Sequence, residues 1–210
     1  MSEKQALSCR EIKAALAENR DFWVFGYGSL MWDPGFHHAE AHPALLYGYH
    51  RRFCVYSRRY RGTPKRPGLV LGLDRGGACK GMVYRVPKRH AKATLIYLWD
   101  REIRGGVYIM RKLRVRLPHG TVEAYAFVVD RGHRGYAGEL APEETARLIL
   151  QGAGVRGLCV HYLENTVRHL EELGIDDGPL HRLAGLVKEM AGARRLSARS
   201  SRGPSRRSSP

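Results

Sequence analysis

The chain has 210 residues, 43% of them apolar, which suffices for one domain with a real core and at most a tail. No apolar run reaches the 18 or so residues that a membrane helix needs. The charged start MSEKQALSCREIKAALAENRD lacks the apolar stretch of a secretory signal, so a cytoplasmic protein is expected. The 36 basic and 20 acidic side chains give a formal net charge of +16, which raises the question of a nucleic-acid partner.

Residues 1–21 read as a helical extension. Ser8-Cys9-Arg10-Glu11 has the form of a capping box and predicts a short helix from there to about residue 19. The apolar run Phe22-Trp23-Val24-Phe25 predicts a buried strand over 22–26. Further strands are expected at 69–73, 80–86, 107–117 and 121–129. Asp74-Arg75-Gly76-Gly77 is read as the turn of one hairpin and Pro118-His119-Gly120 as the turn of another. Along 107–117, Val107, Ile109, Leu113, Val115 and Leu117 alternate with Lys112, Arg114 and Arg116 in its second half, the pattern of a half-buried strand.

Helices are predicted over 88–102, 142–152, 158–173 and 179–191. Pro142-Glu143-Glu144 suits a first helical turn. Leu163, Val167, Leu170 and Leu173 form one stripe that stops at Gly174. Strands first, one inserted helix, more strands and then helices point to an α+β domain over 22–192, with a largely antiparallel and closed sheet. The tail ARRLSARSSRGPSRRSSP (193–210) holds six arginines and no acid, and its composition predicts disorder. It would attract RNA or acidic surfaces by charge alone, without a dedicated partner.

Cys9, Cys54, Cys79 and Cys159 are far apart and form no CxxC pair, so free thiols in a reducing compartment are expected. His37, His38 and His42 make the one histidine cluster. A metal there would need a further ligand, and a polar loop is the plainer reading.

Two features do not fit a purely structural account. The first is FGYGSLMW (25–32), a strand that ends in a loop with little side chain to pack. Gly26 and Gly28 can take φ > 0 and let backbone approach a ligand, and a sharp turn there can gather N–H groups into a nest for a carboxylate or phosphate. Familiar motifs are absent. A GxGxxG loop would need glycine where Met31 stands, no GK[ST] follows, and GxSxG would need glycines in place of Tyr27 and Met31. Ser29 is therefore not read as a nucleophile. The second feature is Glu102. Leu95, Leu98, Trp99 and Glu102 fall at i, i+3, i+4 and i+7, so a carboxylate shares the core-facing side of a helix that Gly105-Gly106 end. Burial would raise its pKa toward the range of a general base. Pairing with Arg101 or Arg104 is the alternative.

In order along the chain, VFGYGSLMW at 24–32, GYHRRF at 48–53, RGTPKRPGLVLGLDRGGACKGMVYRV at 61–86, LWDREIRGGVY at 98–108 and GxxGxxxxYL at 154–163 resemble the ChaC family of glutathione-specific γ-glutamylcyclotransferases. The resemblance covers about 22–190. It implies a γ-glutamylcyclotransferase-like fold, a small closed β-barrel flanked by helices. It also implies a lyase reaction in which the glutamyl α-amine of glutathione attacks its own γ-carbonyl, releasing 5-oxoproline and cysteinylglycine. By the same resemblance, the backbone from Gly26 to Met31 (Gly26, Tyr27, Gly28, Ser29, Leu30, Met31) holds the γ-glutamyl group, Glu102 is the catalytic carboxylate and Tyr108 the matching tyrosine. Neither metal nor cofactor is implied. Cys159 and His161 replace the asparagine and glutamate common before Tyr162-Leu163, which points to a different pocket wall and leaves another γ-glutamyl peptide or amine as an alternative substrate. The arginines of RRYRGTPKRPG are candidates for the glycine carboxylate. The competing reading is a basic RNA-binding protein on the same fold, with Arg51, Arg52, Arg58, Arg59, Arg61 and the tail as its footprint. No RNP-type aromatic signature or zinc finger supports it, and Tyr56 and Tyr60 read as packing residues.

Overall fold

The computed structural model describes residues 3–200, with side chains from 6 to 193. Five strands wind into a closed barrel: β1 (Phe22–Gly26), β2 (Glu40–Ser57), β3 (Gly68–Val86), β4 (Tyr108–Leu117) and β5 (Gly120–Val129), neighbouring one another in the order β1–β3–β2–β4–β5. The β1–β3, β2–β3, β2–β4 and β4–β5 ladders are antiparallel. A parallel seam closes the ring, with Trp23 facing Ala124 and Val24 facing Tyr125. Closure leaves the sheet without a long free edge. The class is α+β, with a small, largely antiparallel barrel flanked by helices.

The main departure from expectation lies in β2 and β3. β2 was not anticipated, and the two strands expected at 69–73 and 80–86 are one continuous strand. Asp74-Arg75-Gly76-Gly77 is therefore no hairpin turn. β2 runs alongside β3 from Ser57↔Gly68 to Glu40↔Arg85, and the glycines absorb a bulge: Gly76 and Gly77 oppose the single Gly48 between the pairs Tyr49↔Arg75 and Tyr47↔Ala78. All three have positive φ (+104°, +69° and +80°), which only glycine takes without cost. The β4–β5 hairpin forms as expected, with Leu117 facing Gly120.

The helices cover the barrel from two sides. α1 (Glu3–Ala17) packs on β4 and α2 (Ala91–Leu98), and shares a core with Phe22, Val24, Leu95, Leu98 and Phe127. α1 starts before the predicted capping box. Ser8 is fully buried within the helix, and its Oγ accepts a hydrogen bond from Met110 N–H at 3.2 Å, so it serves a barrel strand instead of a helix end. On the other side, α3 (Pro142–Gln151), with Pro142 at its start, packs against α4 (Cys159–Glu172) and α5 (Gly178–Ser200). A two-stranded hairpin, β6 (Ala153–Gly154) and β7 (Gly157–Leu158), links α3 to α4.

Leu163 and Leu170 of α4 are buried, whereas Leu173 is 40% exposed and leaves the expected stripe. Gly174, at φ +65°, reverses the chain so that Ile175 N–H bonds back to Leu170 O at 2.8 Å. This turn folds Ile175 into the core and brings Asp177 to the start of α5. α5 extends to Ser200, past residue 193 where the tail was expected to begin. The stretch Ala193-Arg194-Arg195-Leu196 is made of good helix formers, and propensity carries the helix on. Residues 201–210 lie outside the described residues, and so does the expectation of disorder there.

Among the described residues no helix is long and apolar enough to cross a membrane, and no cluster of metal-ligating side chains is present. The histidines of the sequence cluster go separate ways: His37 stacks on His90, His38 meets Tyr84 and His42 pairs with Glu40.

Candidate active site

A cavity of about 610 Å³ opens where the end of β1, the segment after α2, β3, β4 and α4 meet. Its size lies within the usual range for small-molecule sites, roughly 300–1,000 Å³. Both unusual sequence features reach it.

From β1 the chain passes through Tyr27 and Gly28 into a single 3₁₀ turn, Ser29–Met31. Tyr27, Gly28, Ser29 and Leu30 line the cavity, whereas Gly26 and Met31 do not. Gly26 ends β1 opposite Met82, and a Cβ on it would stand 3.0 Å from Leu30 Cβ. Met31 is buried, and its carbonyl accepts from Tyr84 OH at 2.7 Å. Gly26 and Gly28 are free to take positive φ, but neither does; Gly28 sits at φ −136°. With ψ at −132° the backbone at Gly28 leaves the extended form of β1, and a Cβ there would lie 3.3 Å from Leu71 Cδ1 on the cavity wall, a contact that Leu71 would have to yield to. The first N–H groups of such a turn have no partner within it.

Arg51 braces the loop from behind. Its guanidinium is 1% exposed, donates to Tyr27 O at 2.7 Å and lies 3.0 Å from Asp177 Oδ2. It is an interior strut and not part of a nucleic-acid footprint. Arg52 likewise turns to the fully buried Asp74, at 3.7 Å. Among the described residues of that proposed group, Arg58, Arg59 and Arg61 lie above or beside Tyr56, Tyr60 and Tyr162.

Glu102 comes from the opposite wall. The predicted helix over 88–102 is α-helical only to Leu98 and then widens into a π turn over Trp99–Ile103, closed by Arg104 N–H donating to Trp99 O at 2.9 Å. In a five-residue turn the residue above Leu98 is Ile103. Ile103 accordingly takes the core position, fully buried beside Leu98, and Glu102 is swung off the core face into the cavity. Spacing predicted an inward carboxylate. The wide turn decides that it faces a hollow.

The Glu102 side chain is 15% exposed and its Oε1 lies 3.2 Å from Arg101 Nε. Burial pushes its carboxyl above the ordinary value of 4.5, and the Arg101 charge and hydrogen bond pull it partly back. Arg101 does more than pair. The same guanidinium donates to Ser29 Oγ at 2.8 Å, to Asp33 O at 2.8 Å and to Tyr97 OH. One cation thus ties the carboxylate to the glycine turn across 72 residues of chain. Sequence reasoning named Arg101 only as a possible partner of Glu102; a contact that distant leaves no periodic trace.

Three tyrosines complete the inner wall. Tyr27, Tyr108 and Tyr162 line the cavity, and burial pushes all three phenols up, with the Glu102 charge adding to the effect on each. All three stay protonated at neutral pH. Tyr108 OH is committed to Leu71 O at 2.6 Å. Cys159 and His161, expected in the pocket wall, are not there. On α4 the cavity-facing residues are Tyr162 and Asn165, three apart, which leaves His161 exposed. Cys159 is buried under β3 with its thiol donating to Leu69 O at 2.9 Å, and burial pushes that thiol to about 11.

A family model for ChaC-like proteins matches residues 22–190. A glutathione-specific γ-glutamylcyclotransferase of Escherichia coli is 34% identical over 190 residues, covering 90% of this chain and 82% of that one. The mouse glutathione-specific γ-glutamylcyclotransferase 1 is 35% identical over 151 residues, 70% of this chain and 66% of that one. Among solved structures, a yeast γ-glutamylcyclotransferase specific to glutathione superposes with a TM-score of 0.75 at 24% identity, over 81% of this chain and 96% of that one, and so shares the fold.

Proposed function

This chain belongs to the ChaC-like family, and from that membership we propose that it is a glutathione-specific γ-glutamylcyclotransferase that converts glutathione to 5-oxoproline and cysteinylglycine. The observation that carries the assignment of the site is the meeting of Glu102 and the glycine turn in one cavity, bridged by Arg101.

The γ-glutamyl end of the substrate carries an α-carboxylate and an α-ammonium. The opening amides of the 29–31 turn suit the carboxylate, as a turn of backbone donors suits an anion. The ammonium is no nucleophile until it loses a proton, and Glu102 is the base that takes it. The freed amine attacks the γ-carbonyl carbon, forming the ring C–N bond and placing negative charge on the carbonyl oxygen. The phenols of Tyr27 and Tyr162 and the turn amides are the donors available to that charge. Glu102 then returns its proton to the cysteinyl nitrogen as the old C–N bond breaks and the carbonyl re-forms; the extra proton on the ring nitrogen passes to the departing amine, which leaves as the ammonium of cysteinylglycine. Attack is intramolecular, so the cavity must chiefly hold the substrate bent, with amine and carbonyl about 3–3.5 Å apart.

The deciding assay offers purified protein glutathione, γ-Glu-Ala and γ-Glu-ε-Lys separately, with 5-oxoproline measured for each. Release from glutathione well above the other two is the expected result; preferential turnover of the lysine amide would transfer the site to γ-glutamylamines.

The Arg101–Glu102 contact makes a second prediction. Activity requires the unprotonated carboxylate, so it falls as pH drops through a Glu102 pKa that burial has raised above 4.5. Arg101→Gln removes both influences that hold that pKa down, so the acidic limb of kcat/KM should move to higher pH. The loss would be larger at pH 6 than at pH 8, and Arg101→Lys should restore part of the limb. An equal loss at every pH would reduce Arg101 to a structural brace.

A further inference from the structure

The outer part of the same cavity carries charge that the chemistry above does not use. Its lining includes Arg61 and Arg156, and neither has a carboxylate partner among the described residues. Their neighbours fix both in place. The β6–β7 hairpin docks on the 58–62 segment through Val155 N–H to Arg59 O at 3.0 Å and Arg156 N–H to Tyr60 O at 2.9 Å. Arg61 crosses back and donates to the carbonyls of Arg156 and Leu158, the latter at 3.3 Å. Its guanidinium lies 5.2 Å from the centre of the Tyr162 ring, and that of Arg156 lies 5.1 Å from the Tyr60 ring. Two cations are therefore held against aromatic faces at a cavity rim, which lowers the cost of ordering them on a ligand. Tyr162 joins the two ends: a Cβ at Gly28 would lie 3.9 Å from its hydroxyl, and Arg61 covers its face.

Resting on the cyclotransferase reading, we propose that Arg61 and Arg156 form a subsite for the free carboxylate at the far end of the peptide, and that this subsite selects a γ-glutamyl peptide acid over its uncharged counterparts. Guanidinium groups suit a planar carboxylate, and such charge-assisted bonds are the strong ones. Arg156 was not singled out in the sequence; only the hairpin places it beside Arg61.

The test compares glutathione with glutathione whose glycine carboxylate is a carboxamide. The two are equal in length and differ in charge. Wild-type protein should favour the acid by about ten- to a hundredfold in kcat/KM, the range for a hydrogen bond to a charged group. Arg156→Gln, which leaves the hairpin's carbonyl contacts with Arg61 intact, should bring the acid down to near the amide's level through KM. Arg61→Lys, which keeps the charge, should fall between. Calorimetry on Glu102→Gln protein reads the same preference as a ratio of Kd values, without turnover. If both compounds release 5-oxoproline equally well and bind equally well, the rim subsite is wrong and the cyclotransferase reading stands. If acid is bound over amide but neither yields 5-oxoproline, the rim stands and the reaction does not. Equal losses for both compounds in Arg156→Gln would also overturn the subsite.

Discussion

Replacing Glu102 by glutamine is expected to lower kcat for 5-oxoproline release by about 10²–10⁴-fold, the usual share of a general acid–base group, while the protein stays folded. The side chain keeps its shape, and the amide cannot take a proton from an ammonium. Stability should be maintained or improved, and the sign follows from burial. A carboxyl whose pKa is higher in the folded than in the unfolded protein binds its proton more tightly when folded. Stability is therefore full below the unfolded pKa and declines as pH rises through the folded one. At neutral pH Glu102 thus costs stability, and a neutral amide removes that cost. Arg101 keeps Ser29, Asp33 and Tyr97 as partners, so it is not stranded. Parallel thermal melts and a 5-oxoproline assay check both halves; a variant with wild-type turnover would take Glu102 out of the mechanism.

Asp177→Ala should be the most damaging single change away from the reaction. Arg51 is 1% exposed, and its Nε and Nη2 make no aligned hydrogen bond, so the Asp177 carboxylate 3.0 Å away is the main compensation for a buried cation. Removing one partner of a buried pair typically costs about 3–5 kcal/mol. Asp177 also opens α5: its Oδ1 accepts from Leu180 N–H at 3.3 Å, and its carbonyl accepts from His181 N–H at 3.0 Å. Asp177→Asn retains an oxygen acceptor for Leu180 and isolates the charge. For a chain of this size the loss corresponds to a drop in Tm of about 6–20 °C. Catalysis should suffer as well, because the same guanidinium holds Tyr27 O at the mouth of the glycine turn. Urea unfolding gives the number, and a loss below about 1 kcal/mol would show that Arg51 finds other compensation.

What could be read from the chain beforehand depended on range. Local period was enough for β1, for the β4–β5 hairpin and for α3, where Pro142 and two glutamates mark the start. It was also enough to turn Glu102 inward. It failed at β2, where Pro43, Gly48 and the pair Arg51-Arg52 break every simple pattern. Pro43 is tolerated because that end of β2 pairs with β3 on one side and meets β4 only at Leu45↔Arg116. Asp74-Arg75-Gly76-Gly77 has the composition of a turn, yet a partner strand of matching length makes it a bulge. Ser8 looked like a cap, but burial against β4 gave its hydroxyl another donor. The two arginine struts, Arg51 to Asp177 and Arg101 to Ser29, join residues far apart in the chain and so lie beyond any window of local pattern.

The parallel seam has a consequence for how this protein comes into being. Trp23 meets Ala124 only after about a hundred residues have been wound between them, including the whole β2–β3 ribbon. Contacts of such separation are among the last to be rewarded during folding, because the loop entropy must be spent first. The cavity takes one wall from the end of β1 and the other from the turn before β4, on either side of that late event. Substrate binding is therefore expected to appear with closure of the barrel, and refolding followed in parallel by tryptophan fluorescence and by 5-oxoproline release checks it.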